Sequence, residues 1–401
     1  MTLVDQSGVA TTLDQTWGFL LQAAETTCAS FSTIHHLHSS RPPLLMPPID
    51  SRVNPSATRR QRFGRRRLLK LGLGAGAGLL LPAGLGGCRR GEGPLLLAAK
   101  GGIPAAWLDA LPDPWRQQLV EGSGAVLEAL TSAGSKPSAR PALVSLPDGW
   151  ASELPLNRLQ PFGAADVLGR LVAAAQPVSR LFQPEGKPAL AFPWAFSPWV
   201  IVLRSQPELA VRARGPEGWA ALNDPVLKGR LVLPSSPRVS IEICGADLPR
   251  LQALRANALA YDDANALNLL LTGEASAAVV PQQRVIPMLR RDQRLEVVLP
   301  ITGAPLSWQV LVRPAAAKAE PPLEWLGDLL EAPLLPKLLA AGWVPPLPRR
   351  NLAAALARLP KAVEAQLLPP DAVFQRCWSL PPLRPERRLA LQTLWDAAAP
   401  G

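Results

Sequence analysis

Short apolar runs, separated by stretches with helical spacing, are the feature that most limits how this chain can fold. Each run has the length and apolar content of a buried strand, and together they span residues 95–99, 142–146, 199–203, 230–233, 276–280 and 295–299. A helical pattern follows the first run, at residues 104–111. Strands that alternate with helices predict an α/β fold with largely parallel sheets. Ligands of such sheets bind just beyond the C-terminal ends of the strands.

The chain is large enough for two such sheets. It has 401 residues, of which 48% are hydrophobic, and this suffices for two lobes or domains. Its 45 prolines predict many turns and short elements. Because they are spread through apolar stretches, they do not indicate general disorder. No internal repeat is present.

A basic segment followed by an apolar stretch precedes the first strand. Residues 65–70, Arg-Arg-Arg-Leu-Leu-Lys, resemble the twin-arginine export motif, with Arg65 and Arg66 as its arginines. The apolar stretch, residues 71–85, is diluted by glycine, and its short length and Pro82 disfavour a membrane-spanning helix. Residues 85–88, Leu-Gly-Gly-Cys, resemble a bacterial lipobox that ends at Cys88. The alternative is a glycine-rich buried helix that follows arginines by chance.

This pattern predicts a signal peptide over residues 58–87, export to the periplasm by the twin-arginine pathway, and lipidation at Cys88. Several acyl chains on one cysteine would hold the chain firmly to a membrane. Residues 1–57 fit no export leader, so we expect an N-terminal extension, or a start at Met46 that would leave residues 1–45 untranslated. All three histidines, His35, His36 and His38, lie in this extension.

The charge of the chain is strongly positive, which raises the possibility of a nucleic-acid partner. The formal net charge is +11. Nine basic and four acidic residues precede Cys88, so the extension and leader carry about +5 of this charge. The remainder has no dense Lys/Arg tract, and its tryptophans lie among prolines and aliphatic residues. We therefore predict no nucleic-acid partner.

From Cys88 onward the chain has no histidine, which removes the commonest general base and metal ligand. It also lacks Cys-x-x-Cys, a phosphate-binding loop, Gly-x-Ser-x-Gly and Ser-x-x-Lys. We therefore predict no enzymatic activity, no metal and no cofactor. The single tyrosine, Tyr261, disfavours capture of ferric ion by a tyrosine cluster. Cys244 and Cys377 would form a disulfide in an oxidising compartment or remain two buried free thiols.

Several segments, taken in order, resemble the bacterial extracellular solute-binding proteins of ABC importers, in the spermidine/putrescine-binding-like branch. They are residues 222–225 (LNDP) with 228–231 (KGRL), 233–238 (LPSSPR), 273–275 (GEA) before a strand, 299–308 (LPITGAPLSW), 343–348 (WVPPLP) and 394–395 (LW). The resemblance covers most of residues 94–401.

The resemblance implies a two-lobed, type II periplasmic-binding-protein-like fold with a hinge between the lobes. Residues 94–200 and 306–345 would form lobe 1, and residues 201–305 and 346–401 would form lobe 2. The chain would cross into lobe 2 near residues 196–203 and return near residues 306–312. It further implies a monomer that delivers solute to an ABC permease in the inner membrane.

The candidate ligand-binding residues follow strands or border the expected crossovers. They are Gly101, Gly102, Asp148, Trp150, Trp194, Ser235, Ser236, Arg238, Ser307 and Trp308. Each also has a plain structural interpretation. The tryptophans are typical of hinge core, the serines of helix N-caps, Arg238 of a solvated surface and Asp148 of a turn.

The ligand is predicted to be a small polar solute, and two classes remain open. The resemblance points to a polyamine. The polyamine-binding members of that family use several carboxylates in the cleft, and this sequence offers only Asp148 and Glu242 as candidates. Arg238 beside two serines favours an anionic or zwitterionic solute. Two other functions remain as alternatives. One is an exported enzyme of the same fold, such as a deaminase or transferase, and the other is a structural lipoprotein without a transport role.

Overall fold

The fold was determined as a computed structural model, which describes residues 93–132, 140–289 and 291–400. The chain divides into two units, residues 1–84 and 85–401, and all described residues belong to the second. The predicted extension and signal peptide, with Arg65 and Arg66, and the predicted lipidation site Cys88 lie outside the described residues. Within the described part, none of the helices combines the length and apolar character that crossing a membrane requires.

The described elements alternate between strands and helices. The strands are β1 (Leu95–Ala99), β2 (Arg116–Val120), β3 (Pro141–Pro147), β4 (Ala191–Arg204), β5 (Leu231–Leu233), β6 (Ala258–Tyr261), β7 (Ala277–Pro281), β8 (Leu295–Val298), β9 (Pro305–Val312) and β10 (Trp378–Ser379). The helices up to β7 are α1 (Ala105–Leu108), α2 (Gly122–Ser132), α3 (Asp148–Ala151), α4 (Ala165–Leu168), α5 (Gln176–Ser179), α6 (Pro207–Arg214), α7 (Pro237–Ile243), α8 (Leu248–Ala256) and α9 (Ala266–Thr272). Those after β7 are α10 (Gln282–Leu289), α11 (Leu323–Asp328), α12 (Leu334–Ala340), α13 (Arg349–Leu356), α14 (Lys361–Leu367), α15 (Asp371–Phe374) and α16 (Pro385–Ala397).

One long strand belongs to two sheets. The first part of β4, Ala191 to Pro198, pairs antiparallel with β9. Its second part, from Trp199 onward, pairs antiparallel with β7 and β8. The strands follow the order β2-β1-β3-β9-β4-β7-β5-β6, so β4 joins a first sheet around β3 to a second sheet around β5. Below, the first and second lobes are the halves built on these two sheets.

The strand directions confirm the predicted α/β class. Strands β1, β2 and β3 are mutually parallel, and so are β5, β6 and β7. Among the described strands, each antiparallel pair includes one of the crossover strands β4 and β9. Helices cover the sheets because both faces of a parallel sheet are apolar and must be buried.

The alternation of side chains along the strands separates the hydrophobic cores of the second lobe. In β4, Ile201 and Leu203 contribute to one buried cluster, and Val200 and Val202 to another on the opposite face. The first lobe has a single large cluster around Leu96, Leu143 and the tryptophans described below.

The C-terminal segment contacts both lobes. Leu352 and Leu367 of α13 and α14 pack in the first core, whereas Leu391 of α16 packs in the second. Between them, β10 pairs with the start of β9. The sequence-based division placed all of residues 346–401 with the second lobe, and the hydrophobic contacts distribute this segment over both.

Candidate functional site

The parallel strands of both lobes end at the same part of β4. Strand β3 ends at Pro147, which pairs with Gln309, and Gln309 pairs with Ala195 of β4. From the opposite direction, β7 ends at Pro281, which pairs with Trp199. Four residues of extended chain span about 13 Å, so the loops after these strands face each other across a narrow interval. This interval between the lobes is the candidate site.

Asp148 is the buried charged group of this site. It follows β3 directly as the first residue of α3, and its side chain is 6% exposed. The backbone N–H of Trp308, on the return crossover, donates to its Oδ1 at 3.2 Å. Burial raises the pKa of this carboxyl from 3.8 to about 7, against the opposing effects of backbone hydrogen bonds and the Arg238 charge. Asp148 therefore changes charge close to neutral pH.

Arg238 brings the opposite charge from the second lobe. It lies in the first turn of α7, after the loop that ends β5, and is partly buried. Its Nη1 donates to the carbonyl of Leu380 at 3.4 Å, and its Nε lies 3.9 Å from Glu242 without a hydrogen-bond acceptor. Burial lowers the pKa of Arg238, while the charges of Glu242 and Asp148 raise it. The charges of Asp148 and Arg238 therefore act on each other, although the two side chains form no ion pair within the described residues.

Trp308 and Ser307 lie on the return crossover, as predicted. Trp308 is fully buried, with its ring centroid 5.5 Å from that of Phe196 on β4. Its Nε1 donates to Ser379 Oγ of β10 at 2.9 Å. Ser307 is half-buried and pairs with Ser197 of β4. The faces of the Trp308 ring therefore pack against protein groups, and Trp308 contributes to the site through its backbone N–H, which donates to Asp148.

The serines after β5 are exposed and already have a local partner. Ser235 donates from both its backbone N and its hydroxyl to Asp263, which follows β6. Asp263 also lies 3.8 Å from Arg284. Ser236 is the N-cap residue of α7, without a side-chain capping hydrogen bond. These loops form a connected rim on the second lobe rather than a set of free hydroxyls.

Two glutamines after β7 were missed by the sequence reasoning. Gln282 is 2% exposed, and its Oε1 has no hydrogen-bond partner within the described residues. The backbone N–H of Gln283 donates to Ser197 Oγ at 3.0 Å, and its side-chain Oε1 is also unpaired there. The signal was present, because both residues follow the predicted strand at residues 276–280 by the same strand-end rule.

The remaining predicted residues of the first lobe occupy different environments. Gly101, with φ of 70°, and Gly102 form the turn after β1, beside an exposed ion pair of Lys100 with Glu121. Trp150 is 37% exposed in α3. Both positions follow strands that end at the site, and neither contacts Asp148 or Arg238 through a described hydrogen bond.

Trp194 requires a correction. It was a candidate ligand contact, but it is fully buried in the first core, with ring centroids 5.2 Å from Trp107 and 4.9 Å from Trp343. Trp107 in turn stacks on Trp325 at 4.0 Å, and each indole N–H of that pair donates to the other residue's carbonyl. The large apolar ring is better accommodated in this cluster than at a polar wall, so the hinge-core alternative describes Trp194.

Of the two alternatives left open for Cys244 and Cys377, the structure has the two free thiols rather than the disulfide. Burial raises the pKa of the Cys244 thiol to about 12 and also raises the pKa of Cys377. Both thiols contact the second core, so the alternative of two free thiols applies. No cluster of three metal-binding side chains occurs in the described residues.

Two surface depressions lie away from this site. One has a volume of about 270 Å³ and is lined by residues that include Pro112, Leu323 and Asp328. The other measures about 200 Å³, beside Leu168 and Gln176. Both belong to the first lobe and carry none of the convergent strand-end groups. At the interval between the lobes, Arg238 contacts the carbonyl of Leu380, and Asp148 accepts from the backbone N–H of Trp308.

Comparison with known proteins identifies the fold. No family model matches the chain, and no significant match to a curated protein was found. Among solved structures, the chain is similar to the spermidine/putrescine ABC transporter substrate-binding protein PotD of Streptococcus pneumoniae, with a TM-score of 0.60, 13% identity, and coverage of 77% of this chain and 98% of that one. It is likewise similar to the PotD lipoprotein of Treponema pallidum, with a TM-score of 0.57, 11% identity, and coverage of 77% and 99%.

A third similar structure is a periplasmic binding protein of Agrobacterium tumefaciens in complex with agropinic acid. Its TM-score is 0.51 with 15% identity, and the match covers 76% of this chain and 98% of that one. At these identities the likeness establishes the fold alone. The chain therefore has the two-lobed, type II fold of ABC transporter substrate-binding proteins, as the sequence predicted.

Proposed function

We propose that this chain is an exported, lipid-anchored substrate-binding protein of an ABC importer. It captures a small polar solute between its lobes and delivers it to a membrane permease. The observation that carries the proposal is the strand shared by both sheets, on whose middle the strand ends of both lobes converge. Hinged lobes that present loops to one another are suited to closing on a ligand.

The site chemistry supports binding rather than catalysis. Asp148 and Arg238 follow strands of different lobes and act on each other electrostatically, and Gln282 and Gln283 add amide oxygens without a partner in the described residues. From Cys88 onward the sequence holds no histidine to act with a nucleophile. The similar structures are transport binding proteins, which supports the same conclusion by analogy of fold.

The similar structures do not determine the class of ligand. One is described as a spermidine/putrescine-binding protein, and another holds agropinic acid. A polyamine remains a candidate by this likeness. We further propose a monomer, with lobe 1 formed by residues 94–200 and 306–345, lobe 2 built on residues 201–305, and residues 346–401 packed on both.

A thermal-shift screen of the full chain with amines, amino acids, carboxylates and metal ions tests the proposal. We expect at least one small polar solute to raise the melting temperature, because a ligand that binds only the folded state stabilises it. Small-angle scattering with that solute is expected to show a population of more compact molecules. A chain that binds nothing in any class would instead support a structural lipoprotein without a transport role.

A further inference from the structure

The two charges at the site are both incompletely compensated. Within the described residues, no Lys or Arg nitrogen lies within 4.0 Å of the Asp148 carboxylate. That carboxylate accepts from a backbone N–H of Trp308 instead. A buried carboxylate without a cation at contact distance is expensive to keep ionised. A ligand that brings a positive group would therefore lower the free-energy cost of keeping Asp148 ionised.

Arg238 is in the complementary situation. Its nearest acceptors are a carbonyl at 3.4 Å and a carboxylate at 3.9 Å, and both are longer than a charge-assisted hydrogen bond. Its Nε is buried without any acceptor. A guanidinium has five donors, so most of its capacity is unused. A carboxylate that binds two of its nitrogens would therefore satisfy the unused donors of Arg238 best.

Several other charged groups near the strand ends already have a partner of opposite charge. Asp263 lies beside Arg284, and Glu153 binds Arg388 at 2.8 Å. After β1 and β2, Lys100 pairs with Glu121. A polycation requires several uncompensated carboxylates, and a polyanion requires several uncompensated cations. Asp148 and Arg238 supply one of each, on opposite lobes.

We propose that the solute is zwitterionic, an aminocarboxylate whose ammonium group binds Asp148 and whose carboxylate binds Arg238. This inference rests on the proposed function and specifies its substrate class. One charged end is held by each lobe, so the ligand itself links the lobes when they close. It takes the place of the long-range attraction between Asp148 and Arg238, and each charge gains a partner at contact distance.

Calorimetry of the full chain with matched linear probes tests the inference. The probes are aminocarboxylates with two, four and six carbons, the diamines of the same lengths, and the dicarboxylates of the same lengths. Only the end groups differ within each length. We expect at least one aminocarboxylate to bind more than about tenfold more tightly than the diamine and dicarboxylate of its length, since each mismatched end leaves a buried charge unpaired or repelled.

Variants of Asp148 and Arg238 test whether these two residues bind the charged ends of the ligand. We expect D148N to weaken binding of the aminocarboxylate at least about tenfold, and we expect R238Q to weaken it by a similar factor. The matched controls D166N and R387Q change exposed residues away from these contacts and should leave the affinity unchanged. If D148N or R238Q fails to fold, as judged by circular dichroism, the probe series on the unaltered chain still decides.

Three results would overturn the inference. They are preferential binding of a diamine, preferential binding of a dicarboxylate, and aminocarboxylate binding that both variants leave intact. Failure of all nine probes, with a solute of another class found in the wider screen, would reject the zwitterion and retain the binding function. Failure of every class in that screen would reject the proposed function as well.

Discussion

At the scale of single residues, Asp148 makes the stability of the folded chain depend on pH. Burial raises its pKa from 3.8 to about 7, with Arg238 as the charged group that opposes this effect and with Arg388 and Glu153 acting on Arg238. Between these pH values the folded state holds a proton that the unfolded state has released. Its contribution to the free energy of unfolding is therefore full below about pH 4 and falls as the pH rises to about 7.

The variant D148N removes this titration while keeping an oxygen to accept from the Trp308 N–H. We expect the variant to gain stability relative to the unaltered chain as the pH rises from 5 to 8.5, by roughly 2–3 kcal/mol. Urea unfolding followed by tryptophan fluorescence at several pH values measures the difference. Other titrating groups cancel in this comparison. A difference that is constant across pH would contradict the raised pKa.

Local sequence pattern and long-range packing bear differently on Asp148 and Trp194. The strand-end rule depends on local pattern, and it selects Asp148, directly after β3, and Arg238, in the helix that follows β5. The position of Trp194 is decided by packing with Trp107, Trp325 and Trp343, which are distant in sequence. No local pattern reports that such rings will meet.

At the scale of elements, the C-terminal segment acts as a strap across the crossover strands. The strap is defined here as residues 374–380. The ring centroid of Phe374 lies 5.2 Å from that of Phe196, and the backbone N–H of Trp378 donates to Ala304 at 3.0 Å. Ser379 binds the Trp308 indole. The strap thereby connects the two crossovers, and we expect it to restrict hinge motion.

Gly303 permits the close approach of the strap, and G303A tests this role. A Cβ there would lie 2.1 Å from the Arg376 carbonyl oxygen, and φ is +87°. Gly186 has a similar φ of +84° but open space around it. Both G303A and G186A carry backbone strain of about 1 kcal/mol, so G303A alone should also displace the strap.

We expect G303A to lower the free energy of unfolding by at least about 1 kcal/mol more than G186A does. It should also increase hydrogen exchange at the Trp378 amide, which reports directly on the strap. Urea unfolding and exchange mass spectrometry provide the two measurements. Equal losses of stability, with unchanged exchange at Trp378, would show that the strap does not depend on this approach.

The elements themselves were predicted unevenly. Residues 95–99 match β1, because an uninterrupted apolar run is unambiguous. The prediction at residues 199–203 covers only the second part of β4, since Pro193 and Pro198 argue against a strand that in fact continues through them. Strand β2 was missed because its sequence, Arg-Gln-Gln-Leu-Val, is that of a largely exposed edge strand.

At the scale of the whole molecule, an ion pair joins the first lobe to the C-terminal helix on the second. Arg388 of α16 binds Glu153, which follows α3, and both side chains are about 40% exposed. An exposed pair of this kind contributes less than about 1 kcal/mol to stability.

We expect R388Q to leave the urea midpoint nearly unchanged but to increase the radius of gyration in small-angle scattering. R387Q, with the neighbouring exposed arginine changed, is the control, and an equal radius for both variants would show that the pair does not favour closure.

Also at the scale of the whole chain, the two motifs of the proposed leader predict separate effects in the cell. C88S removes the thiol that would accept the lipid, so we expect an unprocessed precursor that incorporates no labelled fatty acid. C377S removes a thiol of the folded domain and should be processed and labelled normally.

Replacing Arg65 and Arg66 together by lysine should retain the chain in the cytoplasm. The same change at Arg59 and Arg60, which no pair of apolar residues follows at the motif spacing, should not. Normal labelling of C88S, or equal export of both double variants, would contradict the leader assignment and return the glycine-rich segment to the alternative of a buried helix.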